Sequence, residues 1–200
     1  MKIILNESQY NLVLEQVGLD IFVEQMNDAY PDSIYAMDAI VDFIRKSGCQ
    51  KIEILDFKHP AYGAALHDRV IINKLVLNRD LTTFLYVVFH EIAHQYQYKK
   101  YGIDKMYGCY TGDISIEEGA EFMKYVENVA DEFAVRKIRQ LDKLYKDRLN
   151  LKVDKIVKVY QNSTTTQFEG LIRYIIKLIR DNNYNDKEDI SEIMYNYIKK

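Results

Sequence analysis

A chain of 200 residues and 23.6 kDa suits one domain, or one domain with an appendage, and its 48% hydrophobic residues suffice for a core, which excludes wholesale disorder. A formal net charge of −3 and a pI near 5.8 leave no electrostatic footprint for nucleic acid. The two cysteines, Cys49 and Cys109, are too few and too scattered for a disulfide framework or a cysteine-based zinc site.

In chain order, residues 1–5 suit a short strand. Asn6 or Ser8 then caps a helix that runs to about Val17 and stops at Gly18. A second short helix is expected over 20–29, ended by Pro31. Asp32 or Ser33 caps a clearer helix to Ser47, with Ile34, Met37, Ala39, Ile40, Phe43 and Ile44 apolar and Gly48 as its stop. Apolar stripes of this kind are core-facing scaffold. Residues 51–57 alternate as a strand, 59–68 read as a loop, and 69–77 as a second strand or a hairpin broken at Asn73 and Lys74. The fold class expected is α+β, with a small, mostly antiparallel sheet flanked by helices. Its edge is either an ordinary sheet edge or one that holds an extended peptide by strand addition.

Next comes the most informative stretch, Leu81–Tyr101, capped by Asp80 or Thr82 and closed by Gly102. Phe84, Val87, Val88, Ile92 and Ala93 recur at helical spacing. His90, Glu91 and His94 form H-E-x-x-H. At 3.6 residues per turn the two histidines lie about 40° apart on one face, so both imidazoles can bind one metal ion. Glu91 sits about 100° round the axis, placed to reach a water on that metal. Burying two histidines and a carboxylate without partners would cost several kcal/mol, which a metal relieves.

The segment after Gly102 is a loop rich in tyrosine, bearing Tyr107 and Tyr110 with Gly108 and Gly112. Tyr110, His59 and His67 are the candidates for stabilising an oxyanion. Residues 116–144 form a long helix with Glu117, Glu118, Glu121, Glu127 and Asp131. Zinc wants a third protein ligand, and Glu127 is the best choice, with Glu118 and Glu121 as runners-up. Glu127 and Asp131 share a face one turn apart, so one carboxylate can take the metal while the other orients a ligand histidine, His90 in the first instance. Ala130 and Ala134 are small enough to let this helix approach the motif helix closely. Residues 146–159, 167–180 and 190–198 read as further helices around a polar break at 162–166. The domain division expected is 1–145 for the site-bearing domain and 146–200 for a helical carboxy-terminal extension.

H-E-x-x-H followed by E-x-x-A-[DN]-x-F-A resembles the ImmA/IrrE group of zinc metallopeptidases, within the gluzincin-type zincins. The matching positions are His90, Glu91 and His94, then Glu127, Ala130, Asp131, Phe133 and Ala134, and Val70-Ile71-Ile72-Asn73 is similar to the strand that precedes the motif helix in that group. The resemblance covers roughly 51–138. It departs at Ala93, where the group often has Gly, over 99–115, and in carrying no helix-turn-helix module, which bears on the group's repressor-cleaving role. The resemblance implies a zincin-like fold and zinc-dependent hydrolysis of a peptide bond in a protein substrate by a zinc-activated water. Zn2+ would rest on His90, His94 and Glu127, with Glu91 as the catalytic base and Asp131 behind a ligand histidine.

Two other readings are a catalytically silent zinc-binding structural or interaction protein, such as a virion component, and a protease of DNA–protein crosslinks similar to SprT-like proteins. The lack of a cysteine-rich ribbon and of a basic face counts against the latter. The partner expected is a protein or peptide, with no nucleic acid and no membrane. The amino terminus is polar by its sixth residue and no window reaches a transmembrane length, so a cytoplasmic setting is expected. Seventeen tyrosines against two prolines, with abundant Lys, Ile and Asn, fit an AT-rich genome, and a phage-encoded protein in host cytoplasm or virion.

Overall fold

A computed structural model describes residues 7–47, 49, 51–56, 61–111 and 113–160. The expectations for 1–5, 167–180 and 190–198 lie outside these residues. The fold is mixed α+β, mostly helical with one three-stranded sheet. Among the described residues no helix is long and apolar enough to cross a membrane.

The first helix, α1 (Glu7–Ala29), is a single element. Gly18 does not end it as expected. A glycine inside a helix costs only about 1 kcal/mol, and Leu19, Phe22 and Met26 beyond it are buried at helical spacing. Tyr30 follows, its hydroxyl within 3.0–3.1 Å of the carbonyl oxygens of Val76, Leu77 and Arg79. This ties the end of α1 to the turn that precedes the motif helix. The helix expected from residue 32 or 33 splits in two, a 3-10 turn at Pro31–Ala36 and then α2 (Met37–Ser47) with Met37, Ile40, Ile44 and Ser47 buried along one stripe.

The sheet is built from β1 (Lys51–Leu55), β2 (Gly63–Ala65) and β3 (Arg69–Asn73), in the order β1-β3-β2. The expectation of a mostly antiparallel sheet is corrected here. The longer pairing, β1 with β3, is parallel from Lys51↔Arg69 to Leu55↔Asn73, and only the three-residue β2 runs antiparallel to β3. Two parallel strands need a crossover rather than a hairpin, and β2 lies within that crossover, inside the segment expected to be loop. Gly-Ala-Ala carries no strand signature of its own; pairing with β3 makes it a strand. Val70, Ile71, Ile72 and Asn73 are all buried, as befits a central strand covered on both faces. The expected strand over 69–77 stops at Asn73. The Asn73 side chain accepts from Leu75 N–H at 3.0 Å and donates to Ala61 O at 2.8 Å, turning the chain into a 3-10 segment at Lys74–Asn78.

The motif helix, α3 (Leu81–Tyr101), runs through the centre. Asp80 caps it, accepting from Thr83 N–H at 3.1 Å, and Gly102 ends it with a positive φ of 79°. Phe84 to Phe89 are buried without interruption, so the helix is covered all round rather than on one stripe. The predicted tyrosine-rich loop is instead α4 (Ile103–Thr111), with Met106 and Tyr107 buried.

The last long helix, α5 (Ile116–Leu149), starts on a capping box formed by Ser115 and Glu118. It buries Val126, Ala130, Ala134, Ile138 and Leu141 against the core. It bends at Tyr145 and ends at Asn150, whose left-handed backbone (φ 44°, ψ 49°) breaks the helix before α6 (Val153–Tyr160). Leu149, Leu151 and Ile156 join the same core as α3, and Lys152 N–H donates to Thr82 Oγ1 at 2.9 Å.

Candidate metal centre

Two helices form the centre, and each contributes residues one turn apart. On α3, His90 and His94 present their Nε2 atoms 3.2 Å from one another. On α5, Glu127 faces them, with one carboxylate oxygen 3.0 Å from His90 Nε2 and the other 3.4 Å from His94 Nε2. The two helices come this close because Ala130 and Ala134, fully buried beside Glu127 and Asp131, offer no bulk between them. One ligand atom from each of His90, His94 and Glu127 lies within 4.8 Å of the others, a group able to hold a metal ion. The side chains of His90 and Glu127 keep 14% and 20% of their exposure, so the centre remains reachable from one side.

The far sides of both imidazoles are held. Asp131 Oδ1 lies 2.8 Å from His90 Nδ1, and the buried Tyr86 donates its hydroxyl to that same oxygen. Gln97 Oε1 lies 2.7 Å from His94 Nδ1, while Gln97 Nε2 donates to Val126 O at 2.7 Å. That second bond decides the amide's orientation, because a backbone carbonyl can only accept. Both acceptors therefore call for a proton on Nδ1, and each neutral imidazole then points an Nε2 lone pair inward. Two lone pairs and a carboxylate converge with no hydrogen between them. Such a donor set wants a cation, and histidine, histidine and glutamate are ligands suited to zinc.

Without a metal, a proton takes that place. Burial opposes the His90 imidazolium, but hydrogen bonds to Asp131 and Glu127 override it and hold the pKa well above the usual value. Burial also opposes ionisation of Glu127, yet the two imidazoles lower its pKa to about 2. His94 moves down, chiefly through burial. Glu91 behaves oppositely to Glu127. Burial raises it to about 7, with His90 pulling down and Glu127 and Asp131 pushing up. Two carboxylates at one site thus have opposed affinities for a proton, one suited to remain a ligand and the other to exchange protons near neutrality.

Glu91 is one of the α3 residues that meet the sheet. It lies under Gly63 of β2, so close that a Cβ at position 63 would stand 2.7 Å from Glu91 Cγ and 2.8 Å from Oε1. One turn further on, Gln95 Nε2 donates to the carbonyls of Leu66 and Arg69, and the Tyr98 hydroxyl donates to Ala65 O at 3.3 Å.

The other candidates stand elsewhere. Glu118 is spent on the Ser115 cap, where it is exposed, and Glu121 is also exposed. His67 sits in the turn between β2 and β3 with its Nδ1 buried and lacking a hydrogen-bond partner. His59 and the side chain of Tyr110 lie outside the described residues. Sequence reasoning missed Tyr86, Gln97 and Gly63. Tyr86 and Gln97 carried a signal: they lie four residues before His90 and three after His94, at helical spacing from the two histidines. Gly63 carried none. Comparison of the chain with protein-family models, curated proteins and solved structures finds no match in any of the three.

Proposed function

We propose that the protein is a zinc metallopeptidase that hydrolyses a peptide bond in a protein or peptide substrate. The observation that carries this reading is the convergence of His90 Nε2, His94 Nε2 and the Glu127 carboxylate, with the buried Glu91 next to His90 on the same helix. His90, His94 and Glu127 would hold the metal. When bound, zinc supplies Lewis acidity toward water and the substrate carbonyl. Glu91 accepts the proton of the attacking water and returns it to the leaving amine. Asp131, itself held by Tyr86, and Gln97 orient the two imidazoles and fix their tautomers.

The sheet edge suits a peptide substrate. Hydrogen bonds from Asn73 N–H to Tyr62 O and from Leu66 N–H to Arg69 O, each 2.8 Å, make 63↔72 a pair without mutual hydrogen bonds. The N–H and C=O of Gly63 therefore face away from β3 along the outer edge of β2, above Glu91, where an extended chain can pair.

Metal analysis with a proteolysis assay tests the reading. Protein purified without chelator should carry zinc near one per chain, and Glu91→Gln should keep that zinc while losing at least about 100-fold in activity, the scale of a lost general base. Loss of zinc in Glu91→Gln would make Glu91 a ligand. A zinc-loaded parent that cleaves nothing across folded and unfolded substrates would favour the silent zinc-binding protein.

A further inference from the structure

We infer that Gly63 is a positioning residue for Glu91: the missing side chain at this point of β2 sets where the Glu91 carboxylate lies. The inference rests on the peptidase reading for its consequence in catalysis, but the contact itself is open to a test that needs no activity.

The register puts Gly63 opposite Ile72, which packs in the main core on the α3 side of the sheet. A side chain at 63 would project the same way, toward Glu91. The nearest atoms are all of Glu91, with Cγ at 2.7 Å and Oε1 at 2.8 Å, distances that real methyl contacts essentially never show, and Cδ at 3.0 Å. Something would have to move. The strand is poorly able to. Gln95 and Tyr98 grip the carbonyls of Leu66, Arg69 and Ala65 on one side of Gly63. Asn73 binds Ala61 O through its side chain and Tyr62 O through its backbone on the other. Glu91 Cβ is carried by a helix turn, residues 91–95, that is buried throughout. The flexible part is the Glu91 side chain beyond Cβ, and it would rotate away from β2.

The requirement for glycine here is one of space. No positive φ is found at this residue, so alanine suits the strand backbone itself. A methyl group at 63 should therefore leave fold and metal ligands in place and displace the base. Displacing a catalytic group by an ångström costs rate far more than affinity.

The test is a double-mutant cycle on full-length, zinc-loaded protein: parent, Gly63→Ala, Glu91→Ala and the double variant, with Ala64→Ser as control because residue 64 faces the opposite side of β2. Zinc content, melting temperature, and kcat and KM on a dye-labelled, reduced and alkylated protein substrate are measured. Gly63→Ala should keep one zinc per chain and melt roughly 3–8 °C lower than the parent, the scale of an overpacked contact. In the Glu91→Ala background the same change should cost about 1 °C or less. On the substrate, kcat should fall at least about tenfold with KM within about twofold, while Ala64→Ser behaves as the parent. An equal loss of melting temperature in both backgrounds would overturn the inference, because the methyl group would then be meeting something other than Glu91. An unchanged kcat in Gly63→Ala would overturn it too. A zinc-loaded parent without proteolysis would refute the peptidase reading, and the melting cycle alone would still decide the contact.

Discussion

Replacing Glu91 by Gln in metal-free protein should stabilise the fold at alkaline pH, although the residue is proposed to be the catalytic base. Burial lifts the Glu91 pKa from its ordinary 4.5 to about 7. The folded protein therefore binds the proton more tightly than the unfolded chain, and between those two values the folded state holds more protons. Stability must fall as pH rises through that window. At 1.36 kcal/mol per pKa unit, the full difference is about 3 kcal/mol, present above pH 7 and absent well below pH 4.5. Gln preserves the shape without the charge, so Glu91→Gln should escape this penalty. For a chain of this size that corresponds to a melting temperature roughly 6–12 °C above the parent at pH 8 in the presence of a chelator, closing to about 1 °C at pH 4.5. Saturating zinc should narrow the gap, since a nearby cation favours the ionised carboxylate. Thermal melts at pH 4.5, 6 and 8, with and without zinc, measure all of this. A variant no more stable than the parent at pH 8 without metal, or a gap independent of pH, would refute the claim that the site holds this carboxylate against its charge.

Four further outcomes are expected. His90→Ala or His94→Ala should abolish zinc binding and Glu127→Ala weaken it strongly, while Glu118→Ala and Glu121→Ala should leave a zinc titration unchanged. Asp131→Ala should weaken zinc about 10–100-fold, less than Glu127→Ala does, because it orients His90 without being placed among the three ligand groups; Gln97→Ala should act likewise through His94. Because His90 holds a proton in metal-free protein up to a pKa well above the usual one, zinc should displace about one proton per chain from His90 at pH 6–7, in addition to the fraction that Glu91 gives up as the cation favours its ionised form. Its affinity should then rise up to about tenfold per pH unit until that pKa is passed; titration calorimetry in buffers of different ionisation enthalpy reads the count, and no proton release would contradict the lone-pair geometry. Ala130→Leu should force α5 away from α3, with a stability loss of about 1–3 kcal/mol and weakened zinc binding, both read from chemical denaturation and metal titration.

Local pattern alone placed the centre of this protein. H-E-x-x-H puts two imidazoles on one face of any helix that forms, and Asp80 and Gly102 mark where that helix begins and ends. The carboxylate pair Glu127 and Asp131, with Ala130 and Ala134 between and beyond them, marked the facing helix by the same periodicity. What a helix period cannot report is which distant segment meets it. That Glu127 faces the two Nε2 atoms while Asp131 meets His90 Nδ1 depends on how deeply α5 settles on α3. The strand β2 and its Gly63 were invisible because Gly-Ala-Ala acquires its strand only from pairing with β3, and the parallel β1–β3 pairing was missed because chain direction across a crossover leaves no trace in side-chain alternation. Gln97 and Tyr86 lay in plain view on the motif helix, but their roles arise from atoms on α5: the carbonyl oxygen of Val126, which decides how the Gln97 amide is turned, and the Asp131 carboxylate that Tyr86 shares with His90. Sequence spacing specifies what one helix can present, and only packing decides which groups it meets, because those contacts join residues about 30 to 45 positions apart in the chain.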